Sequence, residues 1–338
     1  MSKVNISNHF YATIDITTRC NLKCKHCRTE DVDYELSLDQ IKIILKKLKH
    51  PKRRIIFISG GEPLTRPDIV EIIKLIKKSF PFVGINTNSL LLSEELLLSL
   101  ESGGLDYIQV SLDGLKATHD YMRGEGCFDE VMKKMSMISN KTNIKLHVCC
   151  CVSKLNLYEI EKFATFLIES SDFKIALLGF KRFVPKNQMA GKNNLGIDGL
   201  KALLDTVEKM QKQYEGKTVI SVDASQKNIA NYDNALKVLD KYNMTCVGCT
   251  AASGGPSIRA DGTVSPCTLL YVNSGNLLES SLNEIYKSEV YKKLCARELK
   301  GKCLTCKYIK VCGGCRAVAL AIHGDYLAED PECFICST

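Results

Sequence analysis

The chain has 338 residues, 46 Lys and Arg against 38 Asp and Glu (a formal net charge of +8), and 45% hydrophobic residues. This suits one large domain, or one with a small satellite, around a sizeable core. It excludes a small disulfide-stapled scaffold and a polar disordered chain. No run approaches the roughly 20 apolar residues of a membrane span; the best, at 90–100, is interrupted by Ser93, Glu94, Glu95 and Ser99. The first residues carry no apolar signal segment, so a cytoplasmic setting with no membrane partner is expected. Lysines are scattered, as in Lys42, Lys46, Lys47 and Lys49, which reads as a solvated helix face rather than a nucleic-acid site. The anomaly is 17 cysteines, ten of them within 246–338. In a long chain without an export signal, such crowding points to metal or redox chemistry.

In chain order, 11–17 alternates with period two as a strand does, and 37–50 has helical periodicity behind a capping Ser37. A short strand at 54–58 ends in Ser-Gly-Gly. Helix 67–79, strand 82–86, helix 93–101, strand 106–111, helix 128–139, strand 144–152, helix 157–169 and strand 173–178 follow. About six β-then-α units in this order predict a parallel sheet covered by helices, open or barrel-shaped, with the chemistry at the C-terminal strand ends. Beyond a loop at 183–196 come a helix at 198–214 and a strand at 218–222. A cysteine-rich module then begins at Cys246, with a hairpin pairing 257–260 with 263–265 through Asp261-Gly262.

Cys20, Cys24 and Cys27 form a CxxxCxxC loop directly after the first strand. A structural zinc site would need a fourth ligand, from His26 or a distant residue. An iron–sulfur cubane held by three thiolates instead leaves one iron open to a small molecule. This spacing, with His26 before the third cysteine, resembles the radical S-adenosylmethionine (SAM) enzymes. The resemblance implies a 4Fe–4S cluster that binds SAM and cleaves it reductively to methionine and a 5′-deoxyadenosyl radical, with His26 beside the adenine.

Further segments resemble the family's motifs in the same order. Gly60-Gly61-Glu62 resembles the GGE motif that binds the methionine amino group; glycines admit close backbone approach and a carboxylate suits an ammonium. Asn88 with Ser89 resembles the TNG segment, Ser replacing Gly. Ser111-Leu112-Asp113-Gly114 resembles the SLDG segment, whose serine contacts the ribose. His119 to Gly124 resembles HDxxRG, whose arginine, here Arg123, binds the SAM carboxylate.

In the tail, Cys246 and Cys249, then Gly262 to Cys267, then Cys303 with Cys306, Cys312 with Cys315, and Cys333 with Cys336 recur at metal-binding spacings, which alone would suit two zinc ribbons. Beside the first cluster they resemble the SPASM domain, which carries up to two auxiliary 4Fe–4S clusters. On the family's interleaved pattern, Cys246, Cys249, Cys267 and Cys315 would hold the nearer cluster, and Cys303, Cys306, Cys312 and Cys333 the farther, with Cys336 an alternative to Cys333. Of the remaining cysteines, Cys149 and Cys151 share one face of a strand and Cys150 takes the other.

The expected architecture is therefore α/β: a partial (β/α)6 TIM-like barrel over 1–215, a bridging segment at 216–245, and a C-terminal cysteine-rich SPASM module at 246–338. The expected activity is hydrogen abstraction from a ribosomally made peptide or protein side chain. The alternative is a tetrapyrrole side chain of the heme pathway, suggested by Arg182-Phe183-Val184-Pro185 and the tail from Cys312 to Pro331. Sulfatase maturases carry an Asp after the GxxxxC cysteine; here Thr268 stands there. Expected partners are the peptide or small-molecule substrate, an electron donor such as flavodoxin or ferredoxin, and a separate leader-binding protein if a leader is used. An alternative of another class is an iron–sulfur or zinc-binding redox carrier, which would need no SAM motifs. After anaerobic reconstitution, roughly twelve irons per chain are expected. Replacing Cys20, Cys24 and Cys27 together by alanine should remove about a third of that iron and all 5′-deoxyadenosine formation; retained cleavage would refute the assignment.

Overall fold

A computed structural model describes residues 11–29, 32–50, 53–186, 192–223, 225–228 and 248–335. Seven strands form one parallel sheet: β1 (Tyr11–Asp15), β2 (Ile55–Ser59), β3 (Phe82–Thr87), β4 (Tyr107–Ser111), β5 (Lys145–Val152), β6 (Leu177–Arg182) and β7 (Val219–Asp223). They are joined by α1 (Leu38–Leu48), α2 (Ile69–Lys77), α3 (Glu94–Ser102), α4 (Lys116–Arg123), α5 (Cys127–Lys141), α6 (Ile160–Ile168) and α7 (Gly196–Gln213). The strands lie in chain order across the sheet, and a hairpin of β8 (Ser257–Ile258) and β9 (Val264–Ser265) adds to the β1 edge, β8 parallel to β1. β7 and β9 are the two edges, so the TIM-like barrel is partial.

The alternation of side chains fixes which face is which. On β5, Leu146, Val148, Cys150 and Val152 are fully buried, whereas His147, Cys149 and Cys151 are only partly so. The first set packs under the helices; the second faces the barrel interior. α1 starts where Ser37 and Gln40 form a reciprocal capping box. Its Ile41, Ile44, Leu45 and Leu48 point inward at helical spacing.

Three elements differ from the sequence reading. The sixth strand runs over Leu177–Arg182 instead of 173–178, because Phe173 and Ile175 are buried as packing residues ahead of it. The strand at the start of the expected bridging segment is β7 and extends the sheet beyond six strands. The segment from His119 to Arg123, read only as a motif, is helical.

The C-terminal module is joined to the barrel by a buried ion pair. Arg182, at the end of β6, donates to both oxygens of Asp330 at 2.9 and 2.7 Å and to Glu332. Asp330 also accepts from Gln226 and from the Cys315 backbone, and Glu332 accepts from the Gly196 backbone. Desolvation raises the Asp330 pKa, but Arg182 outweighs it and holds the carboxyl well below its usual range. The stability it contributes is therefore complete above the ordinary carboxylate value and lost as pH falls below it. Removing one partner of such a pair strands a buried charge. Asp330→Asn should accordingly cost about 3 kcal/mol, read as a lower unfolding midpoint and earlier proteolysis of the tail. An unchanged midpoint would show that the pair does not join the parts.

Candidate functional site

The cysteine loop lies across the C-terminal strand ends and is bonded to most of them. From β2, the Gly61 amide donates to the Thr17 carbonyl and the Glu62 amide to the Arg19 carbonyl, both at 2.8 Å. A Cβ at Gly60 would sit 2.2 Å from the Thr17 oxygen, and one at Gly61 2.3 Å from the Arg19 oxygen. The paired glycines are thus required for the loop to lie down at all. From β3, Asn88 donates to Asn21 at 2.8 Å. From α4, the Met122 carbonyl accepts from the Lys25 amide. Arg28, the residue after the last cysteine of the loop, donates to the Val184, Pro185 and Leu269 carbonyls and so reaches the second module.

Behind the loop is Asp113, fully buried after β4. It accepts from Arg123 Nε at 2.6 Å and from the Cys151 amide at 2.8 Å, with His26 Nε2 at 3.4 Å. Desolvation pushes its pKa up, but Arg123 and His26 more than offset this and hold it down at about 2, against an ordinary 3.8. The stability this adds is complete above that ordinary value and lost as pH falls to about 2. Arg123 in turn points Nη1 at the Cys24 sulfur, 4.0 Å away, and Nη2 at His26, 3.4 Å away. Burial lowers the pKa of His26, and it lowers that of His119 to about 4. The His119 ring is therefore neutral at pH 7. His26 Nδ1 is buried without a hydrogen-bond partner among the described residues, leaving a polar atom for a ligand.

Glu62 is buried and accepts from Thr87 Oγ1, the Leu64 amide and the Asn88 amide. Desolvation raises its pKa. These bonds leave one of its four lone-pair sites for an incoming cation. Ser111 ends β4 on the inner face, beside Cys149 of β5. Ser89 stands where the motif has glycine, and it adopts φ +63°, a left-handed conformation that glycine enters freely.

Cys20, Cys24 and Cys27 are free and lie on one loop, the donor set that a 4Fe–4S cluster would take with one thiolate per iron and the fourth iron open. Desolvation raises the Cys20 pKa and lifts that of Cys24 to about 11, so these sulfurs need bound metal to be thiolates at neutral pH.

In the second module, Cys249, Cys267 and Cys315 line one cavity of about 120 Å³, along with Tyr11 and Asp223 of the barrel. Cys303 and Cys312 each have Cys333 as an electrostatic neighbour, and Arg316 Nη2 lies 3.8 Å from the Cys303 sulfur. Gly248 is pressed against the Val311 and Cys312 carbonyls, where a Cβ would come within 2.3 Å. The Cys249 amide donates to the Cys312 carbonyl at 2.7 Å. Cys306 is half-buried on the same stretch as Cys303. Cys246 and Cys336 lie outside the described residues.

Comparison with known proteins accounts for both halves. Residues 14–167 match the radical SAM superfamily, and residues 249–316 match SPASM, an iron–sulfur cluster-binding domain. The chain is 33% identical over 334 residues to the AdoMet-dependent heme synthase of Methanosarcina barkeri, covering 94% of each. This chain belongs to the radical SAM enzymes with a SPASM domain. It is 25% identical to the mycofactocin maturase MftC of Mycolicibacterium smegmatis, covering 95% of this chain and 81% of that one. Its fold matches SuiB of Streptococcus suis, solved bound to S-adenosylmethionine, with a TM-score of 0.78 at 20% identity over 98% of this chain and 78% of that one. The enzyme is thus one that uses SAM and a 4Fe–4S cluster, and no helix among its described residues is long and apolar enough to cross a membrane.

What the sequence reading missed is the joining chemistry. Asp113 was read only as part of a motif; its role in holding Arg123 and His26 emerges from the fold. Arg28 had no signal beyond its place after Cys27. Ser89 supplies a test of the motif departure: Ser89→Gly should relieve the left-handed strain and stabilise the protein by about 1 kcal/mol in denaturant unfolding. A destabilised variant would mean that the serine hydroxyl, not the backbone, is what the site needs.

Proposed function

We propose that this enzyme modifies a propionate side chain of an iron tetrapyrrole. The observation that carries the reading is the 33% identity along 94% of both chains to an AdoMet-dependent heme synthase, against 25% to a peptide maturase. In this reading Cys20, Cys24 and Cys27 hold the SAM-binding cluster. His26, Gly60, Gly61, Glu62, Asn88, Ser111 and Arg123 hold SAM: Glu62 takes the ammonium, and Arg123, steered by Asp113, takes the carboxylate. Bound there, the cluster and SAM supply the abstraction of one hydrogen atom.

The module's cysteines divide into two auxiliary clusters, Cys249, Cys267 and Cys315 with Cys246, and Cys303, Cys306 and Cys312 with Cys333. Their shared cavity and electrostatic neighbours favour this division. The boundaries 1–215, 216–245 and 246–338 follow from it, except that β7 works as part of the barrel. A flavodoxin or ferredoxin in an anaerobic cytoplasm supplies the reducing electron.

A propionate that gave one hydrogen atom to the deoxyadenosyl radical and one electron to an oxidised auxiliary cluster would become a vinyl group and carbon dioxide. No general base is required for that change. The residue after Cys267 is accordingly free to be Thr268, which lines the cavity and whose carbonyl accepts from Arg259. Anaerobic incubation with SAM, dithionite and iron coproporphyrin should yield carbon dioxide and a vinyl-bearing product, seen by mass spectrometry. Deoxyadenosine formed without any change in the tetrapyrrole would overturn the substrate reading and return attention to a peptide.

A further inference from the structure

The inner face of the sheet carries Lys181, an ammonium that the SAM site does not use. Lys181 stands on β6 two residues after Gly179, and both point into the barrel. Its register partners are Cys151 on β5 and Asp223 on β7, while Cys149 faces Gly179 and Ser111. A ladder of inner-face residues therefore runs from Ser111 at the SAM rim, across Cys149 and Cys151, to Lys181 and Asp223. Asp223 also lines the cavity of Cys249, Cys267 and Cys315, and Cys267 and Tyr11 are electrostatic neighbours of Lys181. The side chain thus lies between the two redox centres of the molecule.

No other described residue forms a hydrogen bond or ion pair with the Lys181 ammonium, although Asp223 is beside it on the same face. Burial keeps Cys149 and Cys151 as neutral thiols, so neither neutralises it. The contrast with Arg182 is direct: the adjacent side chain, pointing the other way, is saturated by Asp330 and Glu332. The side chain is only partly buried and its surroundings favour the charged form, so a ligand entering the barrel meets an ammonium it can reach. Gly179 contributes no side chain on this face.

We propose that Lys181 is the substrate-recognition residue of the barrel interior and forms an ion pair with a carboxylate of the substrate, fixing it between the SAM rim and the nearer auxiliary cysteines. This rests on the tetrapyrrole reading, since that substrate class carries carboxylates. Lys181 holds and orients; it moves no proton and takes no electron.

The test is equilibrium binding of iron coproporphyrin to the cluster-loaded enzyme and to Lys181→Met, Lys181→Gln and Lys181→Arg, each matched for iron content and unfolding midpoint. Lys181→Met and Lys181→Gln should weaken binding about tenfold or more, the loss expected for one charge-assisted bond. Lys181→Arg, which keeps the charge, should stay within about threefold of the wild type. Wild-type affinity in the two neutral variants would overturn the role of Lys181 while leaving the tetrapyrrole reading intact. Equal loss in all three would also overturn it, since charge would then not be what matters. If the wild-type enzyme itself binds no tetrapyrrole, the substrate reading falls and this proposal with it. The two neutral variants give the binding comparison two independent chances to be read on folded protein.

Discussion

A single buried carboxylate organises the reactive end of the molecule. Asp113 carries a full charge with no exposure to water, a state that is sustainable only because Arg123, His26 and the Cys151 amide surround it. Those three partners come from α4, the cysteine loop and β5, so satisfying one charge fixes three elements at once. Arg123 is thereby aimed at Cys24, and His26 is turned so that its second nitrogen stays available. A low-dielectric site makes such an arrangement rigid, because any displacement would leave the charge uncompensated.

The parallel sheet explains why so many separate segments meet. Every strand from β1 to β7 runs the same way, so all their C-terminal ends lie on one rim. Residues scattered from Cys20 to Arg123 are therefore neighbours, and the loop is held by backbone bonds from β2, a side chain from β3 and a helix after β4. The β8–β9 hairpin, docked on β1, and Arg182, at the end of β6, bring the second cysteine module to the same rim from its two sides. The SAM site and the second cysteine module are then close neighbours by topology.

Much of this was legible in the sequence because backbone requirements leave marks in residue type. Gly60 and Gly61 mark a close approach that no side chain permits, and the capping Ser37 marks a helix start. Hydrophobic alternation on β5 marks its two faces. The sixth strand was misplaced for the opposite reason. Its charged end, Lys181 and Arg182, falls beyond the expected strand, and the counter-charges of Arg182, Asp330 and Glu332, lie some 150 residues on. Phe173 and Ile175 read as strand because burial, not strand pairing, is what their apolarity serves.

The sequence by itself determined the chemistry available: three thiols on a loop, a cysteine-rich tail and the motifs of a SAM site, all defined by residue type and local spacing. Only the tertiary structure decided which charges are neutralised and which are left to act. Arg182 and Lys181 are adjacent and chemically alike, yet the pleat of one strand sends them to opposite faces. On one side Arg182 finds two carboxylates and becomes part of the scaffold. On the other, Lys181 faces the barrel interior beside Asp223 of β7, with no hydrogen bond or ion pair to it among the described residues.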